Sequence, residues 1–293
     1  MRSIILLLFA VLPATTTFAA QGIQWNRLAG VTDVETAERQ FIEQQAEELL
    51  LSGQFEKLEK IATDFRTSKE EFSDGEWKLS VLYDGLSYYL KNASEENWVN
   101  RLEKLKQWVQ KKPNSVTAHV AMTECLVGYA FFGRTQKWSR DVSENQWKLF
   151  YDRMNEAIDV LNEVKGSREN YPEWTAAYQR ITFGNWDRGK YETQFKEAIS
   201  KEPTYNMCYF RKALTLLPWW YGNPGEWEQF ARAAADKVGG IEGDILYARI
   251  VWFLDSRVPG PILAETPSID YKRVFKGANE IAKFNFNKRK KNN

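Results

Sequence analysis

Residues 216–252 read LLPWWYGNPGEWEQFARAAADKVGGIEGDILYARIVW, and their punctuation decides the fold. An apolar helix stops at Leu217-Pro218, and the chain turns through Trp219-Trp220-Tyr221-Gly222. A helix then restarts at Asn223-Pro224-Gly225-Glu226. Asn223 is a suitable N-cap, Pro224 suits the first helical position, and Glu226 stands three residues after the cap, so each satisfies or avoids an orphan backbone N–H. Gly239-Gly240 breaks the chain again before another helix starts near Asp244. The segment is a densely punctuated corner between packed helices.

The same alternation of helical period and breaker extends in both directions. Residues 35–51 carry Ile42, Ala46, Leu49 and Leu50 on one face, Gly53 interrupts, and 55–65 resumes with Leu58, Ile61 and Ala62, which predicts a helical hairpin. Ser73 with Glu76 three residues on reads as a capping box opening a helix with Leu79, Leu82, Tyr83, Leu86 and Leu90 inward. Ser94 starts the next, with Trp98, Leu102, Leu105 and Val109 on its apolar face. Pro113 ends that helix and opens one carrying residues 118–132. A long helix from Ser143 shows Trp147, Phe150, Tyr151, Met154, Ile158 and Leu161 on one side and stops at Gly166. Helices over 170–183 and 187–200 follow, turned by Gly184-Asn185, and then the helix into Leu217 after Pro203. No stretch shows strand alternation, so the expected class is all-α.

An internal echo points to repetition. Pro113 and Pro203 each open a helix that ends at a glycine (Gly133, Gly222), followed by Trp147-x-x-Phe150 and Trp227-x-x-Phe230. Phe195, Ala198 and Pro203 match the spacing of the second half of a tetratricopeptide unit. The expected architecture is an α-α superhelix of degenerate tetratricopeptide-like hairpins, each pair burying its apolar face on the next.

Residues 4–12 form an apolar run behind Arg2, too short to span a bilayer and followed by small residues to Ala20. Residues 1–20 thus have the form of a secretory signal, with cleavage after Ala19 preferred. No later stretch reads as a transmembrane helix, so the mature chain is expected in the periplasm or medium. Residues 21–256 form the helical domain, and 257–293 comprise a linker with Pro259, Pro261 and Pro267, a weakly held helix over 268–283 and a solvated basic tail. Of 40 basic and 39 acidic residues only Arg2 lies in the signal, so the remainder is formally neutral and offers no overall field for nucleic acid. Cys125 and Cys208 fall on different helices, and the sequence leaves both the bridged and the free state open.

The combination LLPWWYG, GEWEQFA and GGIEGDILYAR, with GEWKL at 75–79, Pro113-Asn114-Ser115 and Trp147-x-x-Phe150-x-x-Arg153, resembles a family of exported bacterial proteins with tetratricopeptide-like helices, known only as a domain of unknown function. The likeness covers roughly residues 35–255. It implies a fold and a compartment and brings no activity, catalytic residue, cofactor or metal.

The residues' own chemistry is sparse. The single histidine, His119, lies among apolar neighbours and has no second histidine with which to build a zinc site or a relay. Gly239, Gly240 and Gly243 could cradle an anion, but Asp244 beside them opposes it. Glu226 and Asp244 could in principle act as a glycosidase pair, although carboxylates at helix starts also complement the dipole. Twelve tryptophans are unusual. Trp98, Trp147 and Trp227 read as core, whereas Trp219, Trp220 and Tyr221, with Asn223, are the candidate ligand-binding residues because no helical period constrains them. The function expected is a non-catalytic scaffold for a protein or peptide partner in the cell envelope. The alternatives are an enzyme acting on envelope carbohydrate and a purely structural accessory protein.

Overall fold

The computed structural model describes residues 24–87, 93–135, 139–184, 186–258, 266 and 268–292. The signal segment, Asn185 and the three linker prolines fall outside them. Among the described residues the chain is all-α: α1 (Trp25–Leu28), α2 (Asp33–Leu51), α3 (Phe55–Ser68), α4 (Lys78–Ser87), α5 (Glu95–Lys111), α6 (Val116–Arg134) and α7 (Glu144–Glu163). There follow α8 (Pro172–Ile181), α9 (Arg188–Lys201), α10 (Met207–Thr215), α11 (Glu226–Val238), α12 (Gly240–Arg257) and α13 (Tyr271–Asn292). Several starts are locally encoded. Ser94 with Asn97 and Ser143 with Gln146 form reciprocal capping boxes, and the Thr32, Ser115 and Asp187 side chains each accept a backbone N–H of the first turn.

Ser73 and Glu76 do not form the expected capping box. Residues 71–77 make a tight turn closed by an antiparallel bridge between Glu71 and Trp77, and helix begins only at Lys78. Both side chains are claimed by α2: Glu35 accepts from Ser73 N–H and Oγ–H at 2.9 and 2.6 Å, and Arg39 donates to Glu76. A local motif lost to longer-range charged partners.

Helices α4, α6, α8 and α10 lie side by side and share a polar interior, while α5, α7, α9 and α11 connect and flank them. Ser80 of α4 meets Tyr205 before α10 at 2.9 Å, and Tyr83 donates to Glu173 of α8 at 3.1 Å. Helix α6 is long and apolar enough to cross a membrane by length and composition, yet 83 % of that window is buried among neighbouring helices. That burial is what an all-round apolar helix in a protein core shows. The turn at 71–77 docks on the segment that leads into α10. Trp77 donates its indole N–H to Thr204 O at 3.0 Å and meets Tyr205 edge-on at 5.0 Å, and Trp25 stacks on Trp252 at 5.4 Å.

The burial of the two Trp-x-x-Phe helices corrects the expected correspondence. Trp227 is buried and Phe230 half-buried, whereas Trp147 is half-buried and Phe150 buried. Tyr151, expected inward, is exposed, and so is Val238 at the end of α11. The two helices therefore sit in different rotations against their neighbours. Cys125 and Cys208 are free and buried, and burial raises both thiols to about 12.

The basic tail is also corrected. Instead of ending near residue 283, α13 continues to Asn292, and Val274, Ala278 and Ile281 are buried. Its approach to α12 requires Gly277: a Cβ there would lie 2.2 Å from Asp244 O and 2.8 Å from the Ala248 Cβ. Gly277→Val is expected to destabilise the chain by about 1–3 kcal/mol through overpacking at this crossing. The exposed Lys283→Ala is expected to stay within about 0.5 kcal/mol. Thermal melting checks both, and an unchanged melting temperature for Gly277→Val would mean that α13 is not docked.

Candidate functional site

The four residues expected to bind a ligand sit where α10 gives way to α11. After Thr215 the chain folds back, with Trp220 N–H donating to Leu217 O and Tyr221 N–H to Thr215 O. A Cβ at Gly222 would overlap Leu216 O at 1.8 Å, so only glycine fits. Trp220 is half-buried, edge-on to Phe183 at 4.7 Å and to Phe131 at 6.4 Å. Tyr221 stacks on Trp186 at 4.5 Å and donates its hydroxyl to Phe183 O at 2.7 Å. These two rings are packing elements that join α10 to the ends of α6 and α8. Trp219 is 55 % exposed and Asn223 is exposed, whereas Trp220 and Tyr221 are half-buried.

Asn223 is not the N-cap. Helix α11 starts at Glu226 after Gly225 with φ +82°, and both the backbone N–H and the side-chain amide of Asn223 donate to Glu226 Oε2 at 2.9 and 3.0 Å. Half of the reciprocal capping pattern survives, in a turn that precedes the helix. Glu226 also receives Arg188, and this hydrogen bond is the main cause that holds its carboxyl below the usual range. Asp244 is shared by Arg273 at 2.8 Å and Lys276 at 2.5 Å. Burial raises its carboxyl, but these two cations outweigh the effect and leave it lowered. Both carboxylates are thus stabilised in their charged forms, which disfavours either one as the proton donor of an acid-base pair at neutral pH. His119 is fully buried, with Nδ1 2.7 Å from Ser115 O and Nε2 3.3 Å from Glu163, as a satisfied core histidine. Among the described residues no group of three or more His, Cys, Asp or Glu side chains is placed to hold a metal ion.

The interior carries charges that the sequence reading missed. Glu173 is 2 % exposed and accepts from Arg66 at 2.6 Å and from Tyr83. Glu124, on otherwise apolar α6, is held by Arg180 and by Arg211 at 2.7 Å. Burial raises its carboxyl, and the two arginines reverse the shift. Glu76 shows the opposite balance: burial and the neighbouring charge of Asp84 push its carboxyl up to about 7 despite Arg39. A charged residue inside an apolar run, such as Glu124, was the available sequence signal for this network.

A large opening lies elsewhere among the described residues, a groove of about 580 Å³ between the start of α2, the 71–77 turn, α12 and α13. Buried Phe72 and Ile281 and half-buried Ile245 form its floor. Val34 (76 % exposed) and Phe284 (69 % exposed) stand at its edges. Five glutamates line it, at positions 35, 38, 71, 242 and 280, against two cations. Both cations are already engaged, Lys78 by Glu38 and Glu70, and Arg249 by Glu71. The groove is apolar along its floor and acidic at its rim. Of its lining the sequence reading singles out only Ser73, as a helix cap, because the groove is assembled from segments as far apart as Gly30 and Asn285.

Two outcomes test these assignments. Trp227→Ala removes a buried indole and is expected to cost about 3–5 kcal/mol, whereas half-buried Trp220→Ala costs less. Urea unfolding that ranks them the other way would overturn the assigned burial. For Glu76, a folded pKa of about 7 above the usual 4.5 means that the folded state holds the proton more tightly. Its contribution is therefore fully present below pH 4.5 and lost as the pH rises towards 7. Glu76→Gln, which can still accept from Arg39, should show a smaller fall in melting temperature across that interval than the parent. An identical fall would contradict the assignment.

Comparison with known proteins adds no relative to this geometry: no family model matches the chain, and no curated protein or solved structure matches it.

Proposed function

We propose that this chain is an exported, non-catalytic binding scaffold of tetratricopeptide-like hairpins, and that its groove holds a segment of a partner protein in the cell envelope. The observation that carries this reading is the groove itself. Large apolar side chains left exposed at the edges of an apolar floor mark interaction surfaces in soluble proteins. The rim defines the partner's chemistry by charge complementarity: a large apolar side chain seated between Val34 and Phe284, flanked by Lys or Arg facing Glu38, Glu242 and Glu280. The alternation of α4, α6, α8 and α10 with α5, α7, α9 and α11 supports a repeat origin, and the unequal burial of the two Trp-x-x-Phe helices makes it a degenerate one. The apolar run at residues 4–12 supports export.

A photo-crosslinking amino acid placed at Phe284, with the exposed Lys148 of α7 as the control position, tests the site in native envelope preparations. The expected product joins position 284, and not 148, to a partner segment with basic residues beside a large apolar one. Phe284→Ser and Glu242→Lys are each expected to weaken that partner roughly tenfold without changing the melting temperature. Equal crosslinking at both positions, or unchanged affinity in both variants, would contradict the proposal.

A further inference from the structure

Helix α13 presents a second surface, a flank beside the face packed on α12, that the groove reading does not use. Val274, Ala278 and Ile281 face α12, and the flank beside that face carries Phe275 (44 % exposed), half-buried Ala282 and Phe286 (55 % exposed). Positions 275, 282 and 286 fall within one narrow stripe at 100° per residue. Beside that stripe run Lys272, Lys276, Lys283 and Lys290, all exposed, and the Lys290 ammonium stands 4.8 Å from the Phe286 ring centre. Residues 271–292 contain eight Lys or Arg against the single acidic Glu280, whereas the whole chain carries a net charge of only +1. Positive charge is thus concentrated on one terminal helix of an otherwise acidic body.

We infer that this flank of α13 docks on an anionic lipid surface. Two features have to be explained together, the lysine row and the aromatic stripe next to it. A helix lying in the bilayer interface uses both, burying its apolar side chains at the headgroup boundary while lysines reach the lipid phosphates. Nucleic acid would use the charge but leaves the partly apolar stripe in water unless bases stack on it. The ordinary role of basic residues near a helix C-terminus, complementing the macrodipole, accounts for the last turn only. It does not account for Lys272 and Lys276 in the first two turns. Lys276 and Lys283 also pair with Asp244 and Glu280. Both lysines are more than half exposed; the Lys283–Glu280 pair is weak enough to exchange for lipid phosphate, whereas Lys276 stays with buried Asp244 and contributes its charge from there.

The test is flotation of the full chain with vesicles of phosphatidylcholine containing phosphatidylglycerol, against pure phosphatidylcholine, at low and high salt. The expected result is binding to the anionic vesicles that high salt weakens. Phe275→Ser with Phe286→Ser, and separately Lys272→Glu with Lys283→Glu and Lys290→Glu, should each reduce it by roughly tenfold or more. All five side chains are exposed, so both variants should melt as the parent does. As an independent readout, an environment-sensitive dye on Phe286→Cys should shift to the blue with anionic vesicles, since Cys125 and Cys208 are buried from the label. No dye shift would overturn the inference. So would lysine-dependent binding that the serine variant leaves intact and that duplex DNA competes for equally, because that pattern belongs to a general polyanion surface. Binding equal to both vesicle types, unaffected by either variant, would place any lipid contact outside α13.

Discussion

The buried carboxylate of Glu173 is the contact on which the arrangement of the inner helices depends. It belongs to α8, receives Arg66 from α3 and accepts the Tyr83 hydroxyl from α4, while the same Arg66 guanidinium donates to Thr117 on α6 at 3.0 Å. Four helices are therefore tied through the side chains of Arg66 and Glu173. Neither charge can be left alone in such a place, since an unpaired buried ion costs several kcal/mol. Arg66 also lies over the Tyr171 ring at 4.4 Å, which fixes the start of α8 against the end of α3. Arg101 repeats this logic at the other end of α4, donating to Gly85 O at 2.7 Å and to Glu47 of α2. Apolar burial supplies the driving force, and these few charges select which helix faces meet.

The ends of the chain follow from that interior. Once α4 is anchored, the turn before it is carried onto the segment leading into α10, where Asn206 donates to Gly75 O at 3.0 Å. Arg249 of α12 then reaches Glu71 at 2.7 Å, and Asn285 of α13 reaches Ala29 O and Ser73 Oγ, both at 2.8 Å. The groove is the space these contacts leave between the first and last helices. Its acidic rim and the basic flank of α13 are neighbours on the same terminal layer, so a partner and a lipid surface would be held on adjacent sides of one helix.

Helical character was legible throughout because apolar spacing and breakers agree, and caps such as Ser94 and Ser143 act within four residues. The readings that failed depended on residues distant in sequence. Ser73 and Glu76 have the spacing of a capping box, but Glu35 and Arg39 bind them, and nothing near position 73 announces that. Trp147 and Tyr151 follow the apolar period of α7, yet a period says which residues share a side and not how much of that side a neighbour covers. The tail beyond Lys283 lacks an apolar pattern and was read as solvated, whereas docking of Val274, Ala278 and Ile281 carries the helix through it. Trp220 and Tyr221 stand out in the sequence only as aromatic residues free of a helical period, and the rings packed on them, Phe131, Phe183 and Trp186, lie far earlier in the chain. The groove had no local signature at all.

A double-mutant cycle on Arg66→Met and Glu173→Gln, read by urea unfolding, tests most directly whether one buried charge pair holds the inner helices together. Each single variant is expected to lose about 3–5 kcal/mol, because it leaves an uncompensated charge or a broken network in the interior. The double variant should lose clearly less than the sum of the two, with a coupling energy of roughly 1–3 kcal/mol. A coupling energy near zero, with single losses of less than about 1 kcal/mol, would show that the pair behaves like a surface salt bridge and that the interior is organised by apolar packing alone.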